Sequence, residues 1–192
     1  MTSFYTEQEL KGLGLKKYGV NVLISRKCSI YGASQMSIGD NVRIDDFCIL
    51  SGNITIGNHV HIAAYSSLFA GNSGIAIGDF CGISSRSALY AESDDYTGEA
   101  LTNPTVPEKY KLVTGKKIIM ERHSLIGTGC TVLPGVIIGQ GASIGAMSLI
   151  NKNVESWSMN VGCPCRKVRN RNKKMLEYEK KLLNEEQIGL ER

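Results

Sequence analysis

The feature that most restricts this chain is a register of aliphatic residues recurring every six positions. Ile38, Ile44, Leu50, Ile56, Ile62 and Leu68 form one run. Ile77, Ile83 and Leu89 form a second, and Met120, Ile126, Val132, Ile138, Ile144 and Ile150 a third, with Ile24 and Ile30 opening the series. Six matches neither the helix period nor the alternation of a strand. It describes one short strand plus one turn, and a repeat of this kind sets the whole architecture. Three such units close a triangular coil, and stacked coils hydrogen-bond about 4.8 Å apart. The aliphatic residue points into the prism. The next residue is often small or polar, as at Gly39, Asp45, Gly57, Ala63, Gly78, Ser84, Gly127, Gly139 and Gly145, which suits a bending corner. The fifth position is small or β-branched. Cys28, Cys48, Cys81 and Cys130 fall there, so they read as buried small hydrophobes, not as ligands or nucleophiles. The expected class is all-β, a parallel solenoid forming a single domain.

The interruptions divide that domain. Residues 1–23 read as an N-terminal cap, because Thr6-Glu7-Gln8-Glu9 fits a capping box that starts a short helix over the open end of the prism. Residues 24–90 and 119–161 are coils. Between Leu68 and Ile77 the register slips by three, and Gly71, Asn72 and Gly74 in that gap imply a bulge or turn. Residues 91–118 contain two prolines and no sixfold register, so they form an excursion loop, and a long insert in a compact repeat is usually functional. Residues 162–192 hold the tail Gly162-Cys163-Pro164-Cys165-Arg166-Lys167 and a charged, helix-prone stretch offering Leu176, Leu182 and Leu183 as a contact face.

The formal charge of +4 is too mild to require nucleic acid, although Arg166 to Lys174 concentrates cations suited to a small polyanion. Met1 to Leu15 lacks the apolar stretch of a signal peptide, and no run is long enough to span a membrane. A cytoplasmic protein with reduced cysteines is expected.

The coil register and the Gly-x-Pro-small-basic tail resemble the hexapeptide-repeat family of left-handed parallel β-helix acyltransferases. The resemblance covers roughly Ile24 to Arg169 and supplies the left hand, which spacing alone does not give. It implies acetyl-CoA as donor, a homotrimer, and active sites built by the excursion loop between neighbouring subunits. Small residues at Gly127, Gly145 and Ala146 would lie along the pantetheine arm, and Arg166 and Lys167 would pair with its phosphates. A backbone N–H near Gly127 or Gly145 would serve the oxyanion.

Some members use a loop histidine to deprotonate a sugar hydroxyl. That position falls near Asp94 and Asp95 here, and this loop contains no histidine. The departure has a chemical reading. A hydroxyl needs a base, whereas a sugar amine is partly unprotonated near neutrality, and a carboxylate can orient it and accept its proton. The closest resemblance is to bacterial N-acetyltransferases acting on nucleotide-linked amino sugars for O-antigen or capsule (lipopolysaccharide) synthesis. It rests on Ile44-Asp45-Asp46-Phe47, the Asp94-Asp95-Tyr96-Thr97-Gly98 loop, Leu101-Thr102-Asn103-Pro104 and the tail. The implied acceptor is dTDP-4-amino-4,6-dideoxyglucose, with Asp45, Asp46, Arg86 and Tyr90 as substrate-site candidates.

Three alternatives stand beside this one. A sugar O-acetyltransferase would use His123, expected at an exposed turn, as its base. A zinc protein resembling the γ-class carbonic anhydrases would use the three histidines, His59, His61 and His123. A non-enzymatic solenoid ranks last, because no face carries a row of threonines.

Overall fold

The computed structural model describes residues 3–190. The outermost positions of the expected cap and tail, 1–2 and 191–192, lie outside the described residues. Helix α1 (Glu7–Gly12) opens the chain. Its capping box is formed: the Thr6 N–H donates to Glu9 Oε2 at 2.7 Å, and the Glu9 N–H donates to Thr6 Oγ1 at 3.4 Å. Leu10 is the buried residue of this helix and joins the core cluster, so the cap closes the prism with one apolar plug.

The sixfold aliphatics form three parallel walls. Ile24, Ile44, Ile62, Ile83, Ile126 and Ile144 pair in register along one, hereafter the Ile62 wall. Ile30, Leu50, Leu68, Leu89, Val132 and Ile150 form the Leu68 wall. Ile38, Ile56, Ile77, Met120 and Ile138 form the Ile77 wall. Apart from the partly covered Ile30, all of these residues are buried.

The fifth-position residues fill the remaining space, and their polar atoms find partners. The thiols of Cys48, Cys81 and Cys130 donate to the carbonyls of Ala63, Glu121 and Gly145 at 3.1–3.2 Å. Ser66, Ser87 and Ser148 donate likewise to the carbonyls of Ser84, Gly127 and Gly145. Burial raises all three of those thiols and pushes Cys28 up to about 12, so they stay protonated and inert.

The corners differ from the sequence expectation in one respect. The glycine after each aliphatic does not supply a left-handed turn. A Cβ at Gly127 would lie 2.6 Å from the Ala146 nitrogen, and one at Gly57 2.9 Å from the Gly78 carbonyl carbon. Glycine stands there because the next coil passes so close. The left-handed turn falls two residues later, on Phe47, Tyr65, Arg86 and Met147 between the Ile62 and Leu68 walls. It recurs on Asn41, His59, Phe80, His123 and Trp157 between the Ile77 and Ile62 walls.

The register slip is a bulge. The strands Ile49–Ile56 and Ser67–Ile77 each run around one corner and stay paired, with a shift at Gly52 opposite Gly71. Glu92 stands on this bulge, its Oε1 accepting the N–H groups of Asn72 and Ser73 at 2.8 and 3.0 Å. The excursion starts there. Glu92–Ser93 pairs antiparallel with Thr114–Gly115, and the chain re-enters the Ile77 wall at Ile118. After the last coil, Ser158–Val161 turns back antiparallel to Arg166–Asn170, and helix α2 (Met175–Leu190) follows.

The seating of α2 corrects a second expectation. Glu179 accepts from Arg122 and from His123 Nε2, and Glu186 faces His59 at 3.4 Å. Of Leu176, Leu182 and Leu183, expected as its contact face, Leu176 is partly covered and the other two are each 39% exposed. Carboxylates therefore hold the helix against the corner between the Ile77 and Ile62 walls.

Candidate active site

Two concavities lie on different walls. One, of about 720 Å³, sits where the excursion loop folds over the Leu68 wall. Tyr90, Thr131 and Leu133 form its floor, and Glu92, Asp94 and Tyr96 its rim. Tyr90 is held flat on Phe69, with ring centroids 5.2 Å apart.

The other is a trough along the outer face of the Ile62 wall. It begins in a cavity of about 260 Å³ bounded by His61, Gly82, Ser84, Leu125 and Thr128. Leu125 also borders the next cavity, of about 560 Å³, lined by Gly145, Met159, Val161 and Val168. Beyond the last coil lies a third cavity, of about 400 Å³, lined by Val154, Cys165 and the inward-facing Asn160, with a lip of Lys152, Arg166 and Lys167. Along the coil axis the order is a narrow end of mixed character, an apolar middle on the same wall, and the cationic lip at the C-terminal end of the prism.

The adjacent aspartates separate. Asp94 Oδ2 accepts one bond, from the Asn103 N–H at 3.1 Å, and the residue faces the loop cavity. Asp95 is saturated: its carboxylate accepts the N–H groups of Thr97, Gly98, Glu99 and Ala100 at 2.8–3.0 Å, and the Thr97 hydroxyl at 2.7 Å. The Thr97 hydroxyl and these amides hold its carboxyl at about 2. Asp95 is a loop-building anion, and of the two only Asp94 can meet a ligand in the cavity.

His123 corrects the expectation of an exposed turn residue. It is 6% exposed, stacked on Phe80 at 5.1 Å, and donates from Nε2 to Glu179 at 2.9 Å. Burial, with Arg122 and Arg171 close by, lowers it below the ordinary histidine range. Its ring fixes α2 and faces neither cavity. The histidines of the zinc alternative do not converge either. His59 stacks on the opposite side of the same Phe80, while His61 lies on the outer face of the Ile62 wall and bonds Asp45 at 2.8 Å.

The proposed substrate residues scatter. Burial alone would raise Asp45, but bonds from Arg43 and His61 outweigh it and hold the carboxyl below its usual value. Asp46 takes the Ser25 hydroxyl and Lys27. Both aspartates are thus engaged within the coils. Arg86 lies exposed over the Tyr65 ring at 5.9 Å, on the ridge between the two concavities, and Tyr90 alone lines the loop cavity.

Of the glycines, Gly145 lines the trough. Gly127 is packed against the following coil. Neither amide is free for an oxyanion, since Gly127 donates to Ile144 at 2.9 Å and Gly145 to Asn160 at 2.8 Å. The Ala146 N–H, among the described residues, has no acceptor. Arg166 and Lys167 are exposed, with Lys167 paired to Glu155 at 2.9 Å. Ser84 went unnoticed in the sequence because it looks like any other small corner residue. Only the trough distinguishes it.

Comparison with known proteins places this geometry in context. The family model "Bacterial transferase hexapeptide (six repeats)" matches residues 36–70 and 117–152. An Escherichia coli protein named dTDP-4-amino-4,6-dideoxy-D-glucose acyltransferase is 42% identical over 92% of this chain and 93% of its own length. AntD, an N-acyltransferase from Bacillus cereus solved with dTDP and 3-hydroxybutyryl-CoA, superposes with a TM-score of 0.95. It is 48% identical, covering 97% of this chain and all of AntD. Its S84C variant, solved with dTDP-4-amino-4,6-dideoxyglucose and coenzyme A, superposes at 0.94, with 48% identity over 96% of this chain and 99% of that one. AntD has also been solved as a D94N variant with dTDP and coenzyme A, at 0.94 and 47% identity over 96% of this chain and 100% of that one. A serine and an aspartate stand at the same numbers here, Ser84 in the trough and Asp94 in the loop cavity.

Proposed function

The chain belongs to the hexapeptide-repeat family of bacterial acyltransferases, and from that premise we propose that it transfers an acyl group from coenzyme A to the amine of a dTDP-linked 4-amino-4,6-dideoxyglucose. The observation that carries this reading is the pairing of an apolar trough ending in cations with a cavity presenting a carboxylate. The trough suits a coenzyme: Arg166 and Lys167, joined by Lys152, meet its phosphates, and small residues at Gly145 and Ala146 let a narrow amide chain lie against the coil. The unpaired Ala146 N–H offers that chain a donor. Gly127 contributes by letting the coils stack closely.

The coenzyme supplies an activated acyl group as a thioester. The protein supplies position and a proton acceptor. Asp94 attracts the ammonium form of the sugar, orients the free amine, and takes a proton as the nitrogen attacks. Tyr90, braced on Phe69, gives the sugar nucleotide an aromatic surface.

Within one chain the trough and the loop cavity are separated by the ridge of Phe47, Tyr65, Arg86 and Met147. Met147 there is 74% exposed, and Tyr65 54%. Apolar residues so displayed favour a partner. A homotrimer would cover this ridge and bring the trough of one subunit to the loop of the next. The reading places the enzyme in the cytoplasm, in lipopolysaccharide or capsule sugar synthesis.

The test is thiol release from acetyl-CoA with dTDP-4-amino-4,6-dideoxyglucose, beside dTDP-glucose with its hydroxyl at that position. Release with the amine alone is expected. Release with the hydroxyl sugar at a similar rate would overturn the amine assignment.

A further inference from the structure

The narrow end of the trough has a shape that the acceptor chemistry does not use. On the outer face of the Ile62 wall, stacked coils present Arg43, His61, Gly82, Leu125 and Ser143 in one column. Every member but Gly82 carries a side chain, so the column has a notch. Its backbone does not require glycine, since Gly82 is absent from the left-handed positions. Crowding does not require it either. A Cβ there would meet a single neighbour, the Leu125 Cδ1 tip at 2.9 Å, which is the mobile end of a side chain 40% exposed. Neither the fold nor the packing explains the missing side chain.

We propose that the Gly82 notch receives the acyl group of the donor thioester, and that the missing side chain at Gly82 sets the length of chain accepted. The proposal rests on the coenzyme reading of the trough. The notch is where the trough ends, as far along it as possible from the cationic lip that would hold the phosphates. Its volume of about 260 Å³ exceeds the needs of a methyl group, since one water occupies about 30 Å³ of liquid. The walls are mixed: Leu125 and Ile83 offer apolar surface, while Ser84, Thr128 and His61 offer polar atoms. A short acyl chain, longer than acetyl and able to carry a hydroxyl, satisfies both. Leu125 stands between the notch and the rest of the trough, so the chain passes its side chain on the way in, and the missing side chain at Gly82 leaves the room beyond it.

The test is binding, read by isothermal titration calorimetry with free coenzyme A, acetyl-CoA and butyryl-CoA. Each buried methylene is worth roughly fourfold, so wild type should bind butyryl-CoA about fifteenfold more tightly than acetyl-CoA. Gly82→Val should erase the butyryl advantage while leaving free coenzyme A within about twofold. Circular dichroism melting of the variant confirms that the coils are intact, and retained binding of free coenzyme A separates a filled notch from a general loss of structure. A butyryl-to-acetyl affinity ratio near one in wild type, or one unchanged by Gly82→Val, overturns the notch. Failure of wild type to bind free coenzyme A overturns the donor reading itself, and the notch with it.

Discussion

Both carboxylate oxygens of Asp95 accept bonds from the turn that follows it, whereas Asp94 keeps capacity to spare at the rim of a cavity. That contrast predicts two different phenotypes. Asp94→Asn should lower kcat by about a hundredfold or more, the usual contribution of a positioned acid or base, with little change in melting temperature. Asp95→Asn should instead loosen residues 96–100, raising the KM for the sugar nucleotide more than it lowers kcat. Steady-state kinetics on the two variants distinguish these outcomes. Acidity gives a further check on Asp95. Its folded value of about 2 lies below the unfolded value of about 3.9, so its contribution to loop order is complete above pH 4 and is lost as pH falls through about 2. The Asp95 carboxyl carbon, followed by NMR, should therefore titrate near 2, and a midpoint near 4 would mean that the amide cage does not form. The family resemblance singled out this pair by position. It could not divide their roles, because the division depends on four amides that only the folded loop aims at one of them.

Among the elements, the coils were legible and the seating of α2 was not. Sixfold spacing reports which side chains point inward, and inward packing is a property of each residue's own position. The placement of Phe80, His123 and Trp157 at left-handed corners left no mark, since bulky residues rarely adopt that conformation and nothing in the spacing demands it. Their rings line one corner outside the prism, His59 stacked on Phe80 at 4.5 Å, Phe80 on His123 at 5.1 Å, and Trp157 tilted against His123 at 6.4 Å. Helix α2 closes over that stack through Glu179. Removing the carboxylate by Glu179→Ala leaves the buried His123 imidazole without its acceptor and the Arg122 guanidinium with Asp79 alone. It should cost about 2 kcal/mol in urea unfolding, the scale of a hydrogen bond to a charged group. Leu182→Ala, at an exposed site, should cost less than about 0.5 kcal/mol. Equal losses from the two would restore the leucine face as the helix's main contact.

At the scale of the whole molecule, the trough and the loop cavity occupy different walls of one prism, with an exposed apolar ridge between them. A prism cannot bend to bring two of its faces together, because parallel ladders run along all three walls and the interior is filled by the aliphatics that define them. On the proposed reading, catalysis between the two half-sites calls for a second copy, oriented so that the trough of one subunit meets the loop of its neighbour. A head-to-tail contact of this kind forms a ring where its rotation closes, and the proposed homotrimer is such a ring of three. The consequence can be measured by complementation. One preparation carries Asp94→Asn, which disables the acceptor half. The other carries Arg166→Glu with Lys167→Glu, which weakens the donor half through exposed side chains and spares the core. Each alone should be nearly inactive at acyl-CoA concentrations well below KM. Unfolded together and refolded as a mixture, they should recover about a quarter of wild-type activity, because random assembly of closed rings pairs an intact trough with an intact loop at about one interface in four. No recovery, with mixed oligomers demonstrated by differential tagging, would place both halves of the site within a single chain.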